Sequence, residues 1–586
     1  MIRKLFQLLL LIVVVLFFIT SLILKERAVV IPPRKKNSVP DLNNAESPLE
    51  FLTVVSRKAD TIALSSEKET FSKVTNHGVM SRFNRTYMNI MEHCVLLKSM
   101  DFNKTITSAQ YSRIEKIVKD ANQKVLYVDI QTYNKQNQKK TIGGDLLHVT
   151  GRQIDGDGKI AGYVMDLGKG KYIGLLNVPW SGQTEVTAHL EFALENSCSS
   201  LQAIEDFGNM HYALEQGYGI RAYFQRDLGV EEYTACSPDS FISGYTDLCN
   251  MTELNGNMSW FCVRPTDPRL QCTDVRSFRM GPLSIATDKT PKKVIKPTME
   301  KFTHKHVVKL EGFGQVKKDS SSIHLPFCSQ RQLLDTWQEA LTRPSGYWWG
   351  GRWHFANCHP NIPHDMDKYR QCLRGKTIYF FGDSTVRQYM QYLCEHLLDI
   401  NRNKISVYFL GENGTTYHLR DVISKYGISM AFRKHAMPMH NPKFPSHGIT
   451  SYSTELQTLS QSDILDDSLI VCIGLHLHFK VFPIKVFRDR IAKLAVAITE
   501  FLKKKPKTKF LFKGPHYINA DINCFHSDMA LLYRDIVYDE FSKLNLLSKV
   551  IYLDTWWITV TFDNNLTHPK KYVFESQIQQ FMAYLC

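Results

Sequence analysis

Hydrophobic and polar positions follow two different rhythms in the two halves of the chain. In the first, short alternating runs recur, namely Val125-Leu126-Tyr127-Val128-Asp129-Ile130 and the stretches 143–149, 162–167 and 171–180, each closed by Gly, Asn or Asp at strand-plus-turn intervals. This period of two predicts half-buried antiparallel strands, and we read residues 81–280 as an all-β sandwich. From residue 327 the rhythm changes to buried strands alternating with helices. Strands are predicted over 377–381, 405–410, 469–473, 510–512 and 550–553, and helices over 385–398 and 527–544. A further helix begins at Pro483, where Ile484, Phe487, Ile491, Leu494, Ile498 and Leu502 recur at three-and-four spacing. That alternation predicts an α/β/α domain around a mostly parallel sheet over 327–586.

Outside these segments the pattern is aperiodic or wholly apolar. Residues 5–24 are broken only by Gln7, Thr20 and Ser21, the length of one membrane-crossing helix, and Lys25, Glu26 and Arg27 follow in place of a cleavage pattern. The expectation is a cytoplasmic tail and signal-anchor helix (1–27), a stem (28–80), the β domain (81–280), a basic linker (281–326) and the α/β/α domain. The predicted topology is that of a single-pass type II membrane protein of the secretory pathway, in the Golgi or at the cell surface, with a secreted form also allowed.

Composition refines this picture. With 586 residues there is room for several cores, and 72 basic against 57 acidic residues leave a net charge of +15 that suits acidic partners. A luminal location removes nucleic acid from that set and leaves anionic membranes and charged glycans. The sequons at Asn84, Asn103, Asn250, Asn257, Asn413 and Asn565 fit the same compartment, as do thirteen cysteines, four of them (Cys236, Cys249, Cys262, Cys272) crowded together. Their odd number leaves a thiol over, and the terminal Cys586 is a candidate for a free end or an intermolecular bridge. No C-x-x-C pair is present, and the five-residue spacing of His354, His359 and His364 matches no ligand grammar, so no metal is expected. The tryptophans Trp348, Trp349 and Trp353 are read as core packing.

Candidate chemistry concentrates after the first strand of the second domain. Gly382-Asp383-Ser384 lies at a strand-to-helix turn, where a parallel sheet gathers reactive groups and a helix start offers N–H donors to an oxyanion. The bland reading is a helix N-cap, for which Asp and Ser are favoured. A serine nucleophile needs a base, and His568 follows the last predicted strand. Gly-Asp-Ser early and a loop histidine near the carboxyl terminus resemble the SGNH (GDSL-like) esterases and acyltransferases. In that superfamily an Asp commonly stands three residues before the His. Here the position holds Asn565, which can orient an imidazole but cannot stabilise an imidazolium as a carboxylate does; Asp563 and then Asp554 are the nearest acidic substitutes. Asn565 also heads a sequon, so either that sequon is unused or the site is inactive.

The cysteine cluster, Gly346-Tyr347-Trp348-Trp349-Gly350, Gly382-Asp383-Ser384-Thr385-Val386-Arg387-Gln388, Phe482-Pro483-Ile484 and the carboxyl-terminal run 577–586 together resemble the neurexophilin and PC-esterase domain family, over most of the chain from about residue 80. The resemblance implies a neurexophilin-like, immunoglobulin-like β sandwich followed by a PC-esterase domain. It also implies chemistry on glycans, adding or removing O-acetyl groups, sialic acids included. Carried onto this chain, Ser384 is the nucleophile, His568 the base and Asp563 or Asn565 its orienter. Gly411 and His476 are oxyanion candidates, and Arg387 a contact for a substrate carboxylate. No tightly bound cofactor is expected. Acetyl-CoA would be the donor of a transferase, and a transporter partner would have to supply it, with a sialoglycoprotein as acceptor. An O-acetyltransferase is the leading expectation; the alternatives are an inactive extracellular binding or adhesion glycoprotein of neurexophilin type and a carbohydrate O-acetyl esterase.

Overall fold

The computed structural model describes residues 94, 105–120, 124–207, 218–227, 229–242, 244–282, 300–302, 306–310, 325–400, 426–435, 451–479, 482–519 and 528–586. Strands β1 (Arg113–Asp120), β2 (Val125–Gln131), β3 (Leu146–Gln153), β4 (Lys159–Asp166), β5 (Lys171–Asn177) and β6 (Gly182–Phe192) pair antiparallel in the order β1-β2-β5-β4-β3-β6. Helix α1 (Leu194–Phe207) follows, tied by Cys94–Cys198. Then β7 (Tyr218–Gln225), β8 (Glu231–Ser237), β9 (Leu248–Asn250), β10 (Phe261–Val263) and β11 (Val275–Pro282) form a separate antiparallel sheet in the order β11-β7-β8-β10-β9. The crowded cysteines pair among themselves: Cys236–Cys262 joins register partners on β8 and β10, and Cys249–Cys272 closes the far edge.

The first sheet corrects the immunoglobulin-like expectation. Strands β12 (Glu300–Lys301) and β13 (His306–Leu310) return to β6, and the Lys119 Nζ of β1 donates to the Lys309 carbonyl of β13 at 2.6 Å. The sheet's two ends therefore approach each other, and one continuous antiparallel sheet curls into a nearly closed barrel instead of splitting into two facing layers. Inward-facing Ile114, Leu126, Val149, Ile160, Leu176, Val186 and Val308 form its core. Alternation marks one buried face per strand and is the same for both architectures. The anchor expectation falls on residues 5–24, outside the described residues; among the described residues no helix is long and apolar enough to cross a membrane.

The second half begins with α2 (Leu333–Thr342) and the hairpin β14 (Gly346–Trp349) and β15 (Arg352–Phe355), whose Trp348 pairs with Lys159 of β4 and so extends the barrel sheet. Then come α3 (Met366–Cys372), β16 (Thr377–Gly382), α4 (Ser384–His396), β17 (Ser429–Lys434), α5 (Tyr452–Ser460), β18 (Leu469–Gly474), α6 (Ile484–Lys504), β19 (Lys509–Lys513), α7 (Asp528–Lys543), β20 (Val550–Leu553), α8 (Thr555–Thr561) and α9 (Lys571–Leu585). The five strands β16–β20 are parallel throughout, in the order β17-β16-β18-β19-β20. Both faces are covered, which is why these strands read as unbroken apolar runs. Ile378, Phe380 and Cys472 meet Tyr389 of α4 and Phe581 of α9 on one side. Tyr379, Phe381 and Val471 meet Leu456 of α5, Ile491 of α6 and Phe541 of α7 on the other. That second core runs on into the sheet β7–β11, where Trp260 meets Phe482 edge-on at 5.7 Å.

Strand β17 escaped the sequence reading, and the strand expected over 405–410 lies outside the described residues. Cys586 is neither free nor available to another chain: it is bridged to Cys372, while Cys328 pairs with Cys358. Cys394 and Cys472 are buried thiols, and burial pushes each up to about 12. Asn250, Asn257 and Asn565 are exposed; Asn84, Asn103 and Asn413 lie outside the described residues.

Candidate active site

The strand order fixes where a ligand crevice opens. The first strand of the parallel sheet, β16, lies between the second and third, β17 and β18, so the direction of chain progression reverses beside it. Helix α4 leaves β16 toward one face and α6 leaves β18 toward the other, which opens the carboxyl ends of these neighbours. Gly382 and Gly474 are register partners at that point. A Cβ on Gly382 would lie 2.6 Å from the Gly474 carbonyl oxygen, and one on Gly474 would lie 2.6 Å from Val386 of α4. Only glycine at both positions lets the helix start so close to the strand ends.

Asp383 and Ser384 occupy that start. Asp383 is the N-cap of α4: its Oδ1 accepts from the Thr385 amide at 2.8 Å and the Thr385 hydroxyl at 2.7 Å. The capping role and the candidate chemistry are thus divided between adjacent residues, because Ser384 stands half-buried at the first helical position. The amino end of α4 directs the positive end of the helix dipole toward the same crevice.

His568 comes from the loop between α8 and α9. That loop is docked on α4, one turn beyond Ser384: the Gln388 Nε2 donates to the Pro569 carbonyl at 3.4 Å. Although His568 as a residue is exposed, its ring is desolvated, and its pKa lies below the ordinary histidine value. Arg387 and Lys513 press in the same direction, and the Asp383 carboxylate opposes them. Asp383, read from sequence as a cap, is thus the carboxylate whose charge supports His568. Asp563, in the left-handed region at φ 49°, accepts from the Asn519 Nδ2 at 2.5 Å, and Asn565 is exposed on the outside of the loop. Asp554 caps α8 and is fully buried, which pushes it up to about 7.

The remaining strand ends supply basic groups. Lys434 closes β17 and Lys513 closes β19; burial pushes each down to about 8, with Arg387 adding to the effect at Lys434 and Asp383 opposing it at both. Arg387 itself is lowered by burial, again against Asp383. His478, just past β18, is brought down to about 4 by burial, and its Nδ1 lies 2.6 Å from the His435 Nε2. His476 is buried beside His516, ring centroids 5.6 Å apart. Gly411 lies outside the described residues. Sequence reasoning found Ser384, His568, Arg387 and His476 and missed Lys434, His435, His478, Lys513 and His516. A charged or imidazole residue directly ending an apolar strand run, as in Phe510-Leu511-Phe512-Lys513, was the available signal.

Other sequence features are absorbed by packing. Trp348 and Trp353 pack around Phe562, while His354, His359 and His364 each contact different neighbours, Trp349, Phe327 and Tyr369.

A parallel α/β/α sheet with a helix-initial serine and a carboxyl-terminal loop histidine defines an SGNH-like domain of the PC-esterase type. Residues 353–586 match the family model for the NXPE family member 4-like, C-terminal domain, so this domain is of the neurexophilin and PC-esterase domain type. Among solved structures, the chain is similar to a protein described as a GDSL-like lipase from Parabacteroides merdae, at 12% identity and a TM-score of 0.22, over 36% of this chain and 94% of that one. No argument rests on so distant a likeness.

Proposed function

We propose that this protein is a serine-dependent glycan O-acyltransferase of the secretory pathway, acting as an O-acetyltransferase on sialic acid or a related acidic sugar. The Ser384 Oγ attacks the acyl carbonyl of the donor as His568 takes its proton, and an acyl-serine forms as the donor's leaving group departs with that proton, returned from His568. The acceptor hydroxyl then attacks that ester, its proton passes to the neutral His568 and from there to the departing Ser384 Oγ, and the free serine is restored; water in the same place would make the reaction an esterase. The amino end of α4 faces the developing oxyanion.

One observation carries the choice of an anionic substrate: three desolvated cations, Arg387 in the first turn of α4, Lys434 at the end of β17 and Lys513 at the end of β19, all feel the charge of one carboxylate, Asp383. Desolvated cations in excess over their counter-charge favour a carboxylate or phosphate ligand. A sialic acid carboxylate meets that need in the acceptor, and the phosphates of acetyl-CoA meet it in a donor that a transporter would deliver. The five disulfides and the exposed sequon asparagines support a luminal setting.

The test is mass spectrometry of sialic acids from cells expressing the chain or its Ser384→Ala variant at matched levels. A change in O-acetylation that requires Ser384 supports the proposal, gain marking a transferase and loss an esterase. Identical profiles from two proteins with equally mature glycans would overturn it and favour a binding protein.

A further inference from the structure

A second cluster of reactive side chains lies outside this crevice, where the barrel meets the α/β/α domain. His148 on β3 and His189 on β6 are register partners, their rings stacked with centroids 4.3 Å apart. Glu191 lies two residues beyond His189, at the bulge where the β3–β6 register shifts, and its carboxylate lies on the same side of the sheet as His148. Relative exposures of 4%, 3% and 1% put all three out of reach of bulk water. One ligand atom from each lies within 4.8 Å of the other two.

The local hydrogen bonding is incomplete in an informative way. Among the described residues neither ring nitrogen of His148 has a hydrogen-bond partner, although its Nδ1 lies 2.8 Å from the Glu191 Oε1; the two atoms are close without the alignment of a hydrogen bond. The Glu191 Oε2 is likewise unpartnered. Buried polar atoms left in this state are costly, and a histidine with neither nitrogen bonded is rare in a core. Buried imidazole nitrogens and carboxylate oxygens that converge with so few hydrogen bonds suit a cation.

Supporting groups stand behind the three residues. The Tyr517 Oη donates to the Glu191 Oε1 at 2.8 Å and its ring meets His148 edge-on at 5.4 Å, while the Thr150 Oγ1 lies 3.2 Å from the His189 Nε2. Hydrogen bonds of this kind orient the ligands of natural metal sites. Two imidazoles and one carboxylate are a donor set suited to zinc, whose preferred coordination number leaves one further position.

We infer that His148, His189 and Glu191 bind a divalent transition metal, zinc by their chemistry, and that this ion ties β3 and β6 of the barrel to residues 514–519 of the second domain. Tyr517 belongs to that segment, which begins directly after Lys513 and ends at Asn519, the residue that holds Asp563. The metal would therefore fix the wall of the crevice from behind. Spacing rules missed it because its ligands come from two strands 41 residues apart in sequence, from His148 to His189.

The test uses the full chain, secreted from cultured cells and purified without a metal column. Elemental analysis should find about one zinc ion per chain, a stoichiometry set by the single three-residue ligand set. Removal by chelator should lower the melting temperature, and zinc, unlike magnesium, should restore it. Cobalt in its place should give visible d–d absorption. His148→Gln and Glu191→Gln should each abolish that absorption. Should either variant fail to be secreted, His148→Cys supplies a positive reading: it should add a thiolate-to-cobalt charge-transfer band. The inference is overturned by a wild-type chain that carries no zinc and whose melting ignores added zinc or cobalt. It is equally overturned by full metal retention in both glutamine variants, or by a folded His148→Cys variant whose cobalt spectrum lacks the thiolate band.

Discussion

Replacing Lys513 with methionine should stabilise the protein while impairing its chemistry. Lys513 ends β19 with 1% of its surface exposed, and burial pushes its ammonium down to about 8 from the ordinary 10.5. Each tenfold displacement of an ionisation equilibrium corresponds to about 1.4 kcal/mol, so keeping Lys513 charged in the folded protein at neutral pH costs about 3 kcal/mol. Its one hydrogen bond among the described residues, to the Gly514 carbonyl at 3.4 Å, is long, and Asp383 compensates only in part. Methionine matches the length of the lysine stem and carries no charge. The sign follows from linkage. A lysine whose folded pKa is lowered destabilises the fold fully below about 8, and the penalty fades as pH rises toward the unfolded value. Lys513→Met should therefore be more stable than wild type at pH 7 by up to about 3 kcal/mol, and the difference should vanish between about pH 8 and 10.5. Paired denaturant melts across that range measure it, with acyl transfer to sialic acid assayed on the same preparations. A variant no more stable at pH 7, or a stability difference that persists unchanged to pH 10.5, refutes the reasoning.

Two further predictions concern the same domain. Acyl transfer should have an acid limb below the ordinary histidine range, because His568 must be neutral to accept a proton and its pKa is lowered by burial, Arg387 and Lys513. It should have an alkaline limb near pH 8, expressed mainly in KM, as Lys434 and Lys513 lose charge; a profile flat from pH 5 to 9 contradicts both assignments. Cys586→Ser opens a bridge spanning 214 residues, and loop-closure entropy of that length is worth about 5 kcal/mol. Its secretion should fall sharply and its residual folded fraction melt at lower temperature; equal secretion and melting would show that Cys372–Cys586 contributes little.

What the sequence disclosed depended on how local the physics was. The parallel sheet was legible because each strand is buried on both faces and each helix carries its own apolar stripe: α6 appears where Pro483, Phe487, Ile491 and Ile498 placed it. Ser384 and His568 were legible because strand-end loops are where such sheets carry function. The barrel was not, since the bond from Lys119 to Lys309 that marks its near-closure joins residues 190 apart. Lys434 was missed with its strand, and His148 with His189 and Glu191 because a strand pairing, unlike a motif, leaves no fixed spacing in the chain.

The structure also removes the opposition between the capping and the catalytic readings of Gly382-Asp383-Ser384. Asp383 spends one carboxylate oxygen on the Thr385 amide and hydroxyl, which holds the first turn of α4 in place. Its charge meanwhile acts on Arg387, Lys434, Lys513 and His568 from a nearly inaccessible position. A cap alone would be served equally by Asn or Ser. An acid at this position, unlike Asn or Ser, offsets three desolvated cations and would support protonation of His568 in the proposed acyl transfer. On the proposed mechanism, the electrostatic part commonly taken by an Asp three residues before the histidine would fall to Asp383, and Asn565, exposed, would be free to carry a glycan.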